Sequence, residues 1–368
     1  CASLVAGSTG VYAQEAETDT LDKVQVAFRA VDKQDLMGGV SVIDMKEMAK
    51  KNYATSSIEY IENVVGGVNG GLWGYGDYLV VVDGMVRDAN NVLPQEIDQV
   101  TLLKGSAAVV LYGPRAAKGV LQITTKRGQM GDLRINAHAD MSIGTPISFP
   151  KYLGSAEYMS YYNQARINDG YDKNYSDEEI YNFASGKNPY RYPNFDMYDS
   201  QYRRDFTTRY EGIVEVTVGT ERVKYFISAG YYSQDGLFKE FDSNYNYGYQ
   251  YHRFNYRSNL DLQATKTTTL SFNVAGNVSN ADKPYTGSGA AGLIKQIYYA
   301  TPFSSPGIVD NKLVYCTTDY TDGLKLPFVG GSGMGYYGNG FMQTNINKLQ
   351  MDLVLNQKLD FITKGLSF

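Results

Sequence analysis

From Leu133 to Ile143 the chain changes character at every step. Leu133, Ile135, Ala137, Ala139, Met141 and Ile143 alternate with Arg134, Asn136, His138, Asp140 and Ser142. A period of two places the first set on one face of an extended strand and the second set on the other. Strands in soluble sheets commonly run about five or six residues. An unbroken alternation of about 9–11 residues suits a tilted strand that crosses a bilayer as part of a barrel, with lipid on one side and water or protein on the other. His138 then belongs to the polar face as one residue among several, and no nearby partner suggests a metal site.

The pattern recurs downstream. Gly212 to Val218 and Val223 to Ser233 are predicted strands joined by the short turn Gly219-Thr220-Glu221-Arg222. Tyr247 to Ala264 and Thr267 to Val278 flank Thr265-Lys266, and Leu349 to Leu359 and Leu366 onward continue the series. Long insertions separate some of them. Ser155 to Asn168 is helical in character, and Ser176 to Glu179 is an S-x-x-E capping box that opens a second helix. Gly287 to Ala300 is a further short helix, and residues 301 to 347 read as a Tyr/Gly/Ser-rich loop. Tight turns at one end and long connections at the other are the asymmetry of outer-membrane barrels. The 33 tyrosines among 368 residues suit the aromatic girdles of such barrels. No apolar run is long enough to cross as a helix, an absence that does not bear on barrel strands.

Other classes are disfavoured. A net charge of −5 argues against a nucleic-acid partner. Two cysteines, Cys1 and Cys316, build neither a disulfide framework nor a thiolate zinc site. Two histidines, His138 and His252, give no catalytic constellation. Gly333 to Gly338 fits G-x-G-x-x-G but lacks the strand-to-helix setting that nucleotide binding requires. The expectation is no enzyme, no metal and no cofactor.

Residues 80 to 128 form a different unit. Tyr78 to Val82 is an apolar strand that ends at an Asp83-Gly84 turn. Pro94 opens a short helix, Val100 to Leu103 is β-rich, and Ser106 to Tyr112 is a small helix stopped by Gly113-Pro114. Val120 to Thr125 is a third strand. Upstream, Val40 to Ile43 is a short strand, Asp44 caps a helix through Lys51, and a second helix runs from Thr55 to about Val65. The order describes a compact α/β module.

The VVVDG (80–84), IDQVTLLKGSAA (97–108), YGPRAAKGV (112–120) and ITTKRG (123–128) runs, in this order, resemble the plug domain of TonB-dependent outer-membrane receptors. The likeness is greatest to the SusC-like branch, which imports nutrients in Bacteroidetes-type bacteria. VKYFISAGYYSQDGLF (223–238) and RFNYRSNLD (253–261) resemble barrel segments of the same branch. The signature residues carried by the plug motifs are Asp83, Gly84, Lys104, Gly105, Tyr112, Gly113, Gly119, Thr124 and Thr125. The implied fold is a small α/β plug domain followed by antiparallel transmembrane β-barrel strands. A plugged barrel has about 22 strands, and residues 131–368 offer seven or eight, so the barrel is expected to be incomplete in this chain.

The resemblance implies TonB-dependent active import of an oligosaccharide or peptide across the outer membrane, in contact with outer-membrane lipid. It also implies TonB for energy coupling and a SusD-like surface lipoprotein. Trp73, the single Trp, is a candidate for stacking on a sugar, with packing against the barrel wall as its alternative. Leu21, Val24, Val26 and Phe28 lie in LDKVQVAFRA (21–30), where such receptors carry a TonB box that a partner captures by strand addition. Phe28-Arg29 stands where that pattern usually ends in Gly-Tyr, and an ordinary first strand of the plug sheet is the alternative.

The expected organisation is a signal-peptide remnant over 1–13, a flexible N-terminus with the coupling segment over 14–39, a plug over 40–128, and a partial barrel over 131–368. Lipidation of Cys1 is a rival reading of the first residues. A passive porin and a soluble glycan-binding β protein are the competing functional classes.

Overall fold

The computed structural model describes residues 23–26, 29–32, 39–45, 61–62, 68, 71–72, 76–89, 92–196, 198–199, 201–241, 248–285, 301–313 and 340–368. Two sheets dominate.

The N-terminal sheet has five strands: β3 (Val40–Asp44), β4 (Leu79–Val82), β5 (Met85–Val86), β6 (Ile97–Leu103) and β7 (Val120–Thr125), in the order β3-β6-β7-β4-β5. Before it, β1 (Lys23–Val26) and β2 (Arg29–Asp32) form a separate two-stranded hairpin. β4 runs parallel to β7, and the other pairs in the five-stranded sheet are antiparallel. The β4–β5 connection is a two-residue turn in which Asp83 (φ 50°) and Gly84 (φ 85°) both have positive φ. Asp-Gly is the pair that this hairpin turn favours. Between β6 and β7 lies helix α1 (Gly105–Tyr112), closed by Gly113 at φ 75°. One face of the sheet buries Val82, Ile97, Val100, Leu102, Leu121 and Ile123. The other buries Val81, Leu103 and Val120 against Ala108 of α1 and Ala116. The short helix expected at Pro94 is a 3-10 turn, Pro94–Glu96.

The C-terminal sheet has six long strands. They are β8 (Gly131–Gly144), β9 (Thr207–Gly219), β10 (Val223–Asp235), β11 (Gln250–Gln263), β12 (Thr268–Pro284) and β15 (Phe341–Gln357), in the order β15-β12-β11-β10-β9-β8. All neighbours are antiparallel. A two-residue hairpin, β13 (Ile308–Val309) and β14 (Lys312–Leu313), lies within the connection before β15. A further pairing begins at the chain's end, where Lys358 bridges Ser367. Strands of 13–17 residues extend roughly 43–56 Å at about 3.3 Å per residue. Even when tilted, they exceed the hydrocarbon core of about 30 Å.

Several strands are longer than the sequence pattern indicates. β12 continues to Pro284 and β15 starts at Phe341, so the segment read as loop through residue 347 is partly strand. The two extensions pair with each other, Val278 with Asn347 through to Pro284 with Phe341. Their backbones satisfy one another where the side chains no longer alternate.

The connection between β8 and β9 folds into helices α2 (Ser155–Asn168) and α3 (Asp177–Ser185). The capping box forms as read: Glu179 N–H donates to Ser176 Oγ at 3.1 Å, and Ser176 N–H donates to Glu179 Oε2 at 2.6 Å. Met159, Tyr175 and Phe183 make a small core that includes Phe303, from the connection before β15. Of the helices read after the Asp44 cap through Lys51, from Thr55 to about Val65 and over 287–300, only Met45, Ile61 and Glu62 are among the described residues, and these three are helical.

Candidate functional site at the junction of the two sheets

Residue rows across the six-stranded sheet have opposite chemistry. Asn136, Glu215, Ser228, Arg257, Ala275 and Gln350 are successive cross-strand neighbours on one face. The adjacent row, on the other face, is Ala137, Val214, Ala229, Tyr256, Gly276 and Leu349. The polar face is the buried one: Glu215, Ser228, Asn255, Arg257, Asn259, Asn273 and Asn277 are all at most 9% exposed. The apolar face is open, with Ile135, Val214, Phe254, Phe272, Val278, Leu349, Met351 and Leu353 among its exposed side chains. A water-soluble sheet has the reverse arrangement.

The N-terminal unit covers the polar face. Its edge turn and the end of β7 supply most of the contacts. The Asp83 carboxylate accepts from Thr125 N–H at 2.9 Å and Thr125 Oγ1 at 2.8 Å, which ties the β4–β5 turn to β7. Arg257 reaches in from β11, donating from Nε to Glu96 Oε2 at 3.0 Å, with its Nη1 3.7 Å from Asp83 Oδ2. Ser228 Oγ donates to Glu96 Oε1 at 2.6 Å. Asn259 donates to Lys126 O at 2.7 Å and Thr125 Oγ1 at 3.1 Å. Charges of opposite sign meet around this centre: Lys126 with Glu215 at 2.9 Å, Arg127 with Asp261 at 2.7 Å, Arg87 with Asp352 at 2.6 Å, and Lys348 with Asp88 at 3.3 Å.

Close approach is enforced at Gly128, where a Cβ would collide with the backbone of Tyr225 on β10. Gly119, at φ 103°, leaves no room for a Cβ beside Leu72 Cδ2 and the Leu103 carbonyl. The remaining signature residues shape α1 and its surroundings. Lys104 N–H donates to Gly39 O at 2.8 Å and precedes Gly105 (φ 57°) at the start of α1. Tyr112 OH donates to Gln122 Oε1 at 3.3 Å, and burial pushes the phenol pKa up, which keeps that proton in place. Thr124 lies on β7 opposite Gln99. Of the nine signature residues, Asp83 and Thr125 face the junction, and Gly84 completes the turn beside Asp83. Lys104, Gly105, Tyr112 and Gly113 set the helix behind the sheet, and Thr124 and Gly119 belong to β7 and its entry.

Sequence reasoning missed Glu96, Arg257, Glu215, Asp261, Ser228 and Asn259. A signal existed for the wall residues: each is a polar residue at a face position of an alternating strand. Which of them meets the N-terminal unit depends on strand order. His138 Nε2 lies 2.5 Å from Asp140 Oδ2 on the same polar face.

Of the coupling candidates, Val24 and Val26 are described. Leu21 and Phe28 lie outside the described residues, as does Trp73. Val24 is fully buried, and Val26 packs on the α1 side of the sheet. The reading of this segment as a first strand of the plug sheet does not hold, since β1 pairs with β2 and belongs to no larger sheet among the described residues. The two-residue connection between Val26 and Arg29 makes the local hairpin, and the hairpin lies on β6 through side chains instead of ladder bonds.

A polar-faced, apolar-backed sheet with an α/β unit held against its polar face is the build of a plugged barrel wall. Residues 32–120 match the model of the TonB-dependent receptor plug domain. A TonB-dependent receptor of Formosa agariphila, P3, is 26% identical over 344 residues, covering 86% of this chain and 31% of that receptor. The TonB-dependent receptor SusC of Bacteroides thetaiotaomicron is 27% identical over 311 residues, covering 75% of this chain and 28% of SusC. The chain therefore carries the plug domain of the TonB-dependent receptors and is homologous to SusC and other members. It spans about a third of the length of these relatives. The structure of the RagAB peptide importer in its open-open state shares the fold, with a TM-score of 0.60 at 19% identity, covering 81% of this chain and 37% of that one.

Proposed function

We propose that this chain is the plug and the first wall segment of an outer-membrane importer driven by TonB, taking up an oligosaccharide or a peptide. The observation that supports this most is the reversal of faces in the six-stranded sheet: exposed Leu349, Met351 and Leu353 suit lipid, and buried Arg257, Glu215 and Asn259 suit a lumen filled by the plug. The long connections of 145–206 and 285–340 and the short turns at 220–222 and 264–267 suit an outer face that binds ligand and an inner face that meets the periplasm. A SusD-like surface lipoprotein fits the outer face as the partner that delivers substrate.

In this reading, ligand binds outside the plug, and TonB captures the segment around Val24 and Val26 and pulls. The plug–wall contacts are charge pairs and polar hydrogen bonds. Such contacts can be exchanged for water one at a time, which favours displacement of a plug over its rupture. The outer membrane holds no ATP, so the work is drawn from the inner membrane through TonB. A passive porin would leave its polar face to water, whereas here an α/β unit covers it. A soluble glycan-binding protein would pack its apolar face on a second sheet.

The decisive measurement is ligand uptake by cells with and without TonB, in parallel with membrane fractionation. Uptake that depends on TonB, with the receptor in the outer-membrane fraction, is expected. Equal uptake in both strains rejects the proposal. Deleting residues 21–28 is expected to abolish uptake while ligand binding at the outer face persists, with the plug somewhat destabilised because buried Val24 is removed and Gln99 and Thr101 lose their Gln25 partners.

A further inference from the structure

The N-terminal hairpin has two backbone edges. In an antiparallel pair, the N–H and C=O of one residue point to the same side, and successive residues alternate sides. Val26 pairs with Arg29 and Val24 with Val31 across the hairpin. Gln25, between them, directs its N–H and C=O outward, along the edge a further strand would use. That edge is covered in an unusual way. Gln25 N–H donates to Gln99 Oε1 at 2.8 Å, and Gln25 C=O accepts from Thr101 Oγ1 at 3.1 Å. Both partners are side chains on β6, Gln99 at 3% exposure and Thr101 at 0%. Together they reproduce the donor and acceptor of a missing strand.

Gln99 and Thr101 alternate with Val100 and Leu102, which face the apolar core on the other side of β6. On the hairpin side, two polar groups thus stand in the interior of the plug, a position that costs stability unless each finds a partner. The backbone of Gln25 provides both partners. This arrangement differs from ordinary sheet extension, in which ladder bonds would join β1 to β6. Two side-chain bonds can be released without breaking any strand pairing of the five-stranded sheet.

We propose that Gln99 and Thr101 are a latch over the docking edge of the coupling hairpin, and that a partner adding a strand at Gln25 must first displace these two side chains. The partner is a periplasmic protein with an open strand edge. The proposal rests on the reading of 21–28 as the TonB-coupling segment, and it adds the residues that regulate access to it. Thr101→Val and Gln99→Leu remove the hydrogen-bonding groups while nearly keeping their volume.

The test uses the intact receptor in detergent and two readouts. The first is hydrogen exchange of the peptide containing Gln25. The second is capture of the purified periplasmic domain of TonB. In the Gln99→Leu/Thr101→Val double variant, exchange at Gln25 is expected to rise about tenfold, and TonB capture to tighten by a similar factor, the scale set by net hydrogen-bond energies. Five-stranded-sheet peptides covering 79–82 and 120–125 serve as a folding control and should keep wild-type exchange. If that control fails, the single variant Thr101→Val carries the test. Unchanged exchange at Gln25 with unchanged capture overturns the latch. Deletion of 21–28 then still reports separately on the coupling role. Faster exchange with no TonB capture by wild type or variant overturns the partner assignment and the coupling reading together.

Discussion

The two sheets of this protein bury opposite kinds of residue. In the plug, Val82, Leu102, Leu121 and Ile123 are inside, as in any water-soluble domain. In the wall, Arg257, Glu215, Asn259 and Asn273 are inside, and Leu349, Phe272 and Val278 are outside. The same backbone geometry serves both, so the difference is one of solvent. The plug is stabilised by removing apolar area from water. In the proposed reading the wall's apolar face has lipid for its solvent, while its polar face is held by specific pairs with the plug. Burial in this molecule therefore has to be read against what each face touches.

The strongest way to break this comparison is to remove a charge from the junction. Arg257→Leu leaves Glu96 and Asp83 buried without their cation and is expected to cost about 3–5 kcal/mol of plug–wall docking. Protease nicking of the plug in the intact receptor, with its thermal unfolding midpoint, reads the loss. Adding Glu96→Leu is expected to restore a substantial part of it, because the orphaned charge is then gone. Failure of any destabilisation in the single variant would mean that the two carboxylates are hydrated and the junction is not a closed interface.

Next in size is the exterior. Leu349, midway along β15, is 59% exposed to whatever surrounds the wall. If that is water, Leu349→Arg is harmless. If it is the bilayer midplane, the change costs about 2–4 kcal/mol, measurable as reduced folding yield into lipid vesicles. Within the plug, Gly119→Ala is expected to cost about 1–3 kcal/mol through its positive φ and the collision with Leu72. The loss is read by thermal unfolding. The smallest effect is expected at the helices of the β8–β9 connection. Ser176→Ala removes the cap of α3 for about 1 kcal/mol. Faster hydrogen exchange should follow in the first turn of α3, with the wall unaffected.

Much of this was legible from residues alone, and the limits have physical causes. The Leu133–Ile143 alternation indicated β8 nearly whole, because apolar and polar side chains separate cleanly onto its two faces over eleven residues. The outer ends of β12 and β15 were unreadable for the complementary reason. Around Asn280 and Asn345 the face that is apolar elsewhere carries Asn280, Asp282, Gln343 and Asn345, so the period of two vanishes although the backbones remain paired. The Asp83-Gly84 turn and the Ser176 capping box are local, and local chemistry specified them. The junction is not local. Glu96 meets Arg257 across 161 positions of chain and Arg87 meets Asp352 across 265, and no spacing rule links such residues. Gln99 and Thr101 carried a weak signal, two polar side chains on one face of an otherwise apolar strand. The hairpin character of 23–32 escaped because a short strand pattern does not identify its partner.

One detail of the long connections bears on how receptors of this build diversify. Phe303 belongs to the connection before β15, yet it packs among Met159, Tyr175 and Phe183 of the connection after β8. Phe195 N–H also donates to Pro302 O across the same boundary. Two segments more than a hundred positions apart thus share one aromatic nucleus. Recombination that swapped either segment singly would strand half of that nucleus in water, so the two are expected to be inherited, and exchanged between lineages, as a pair.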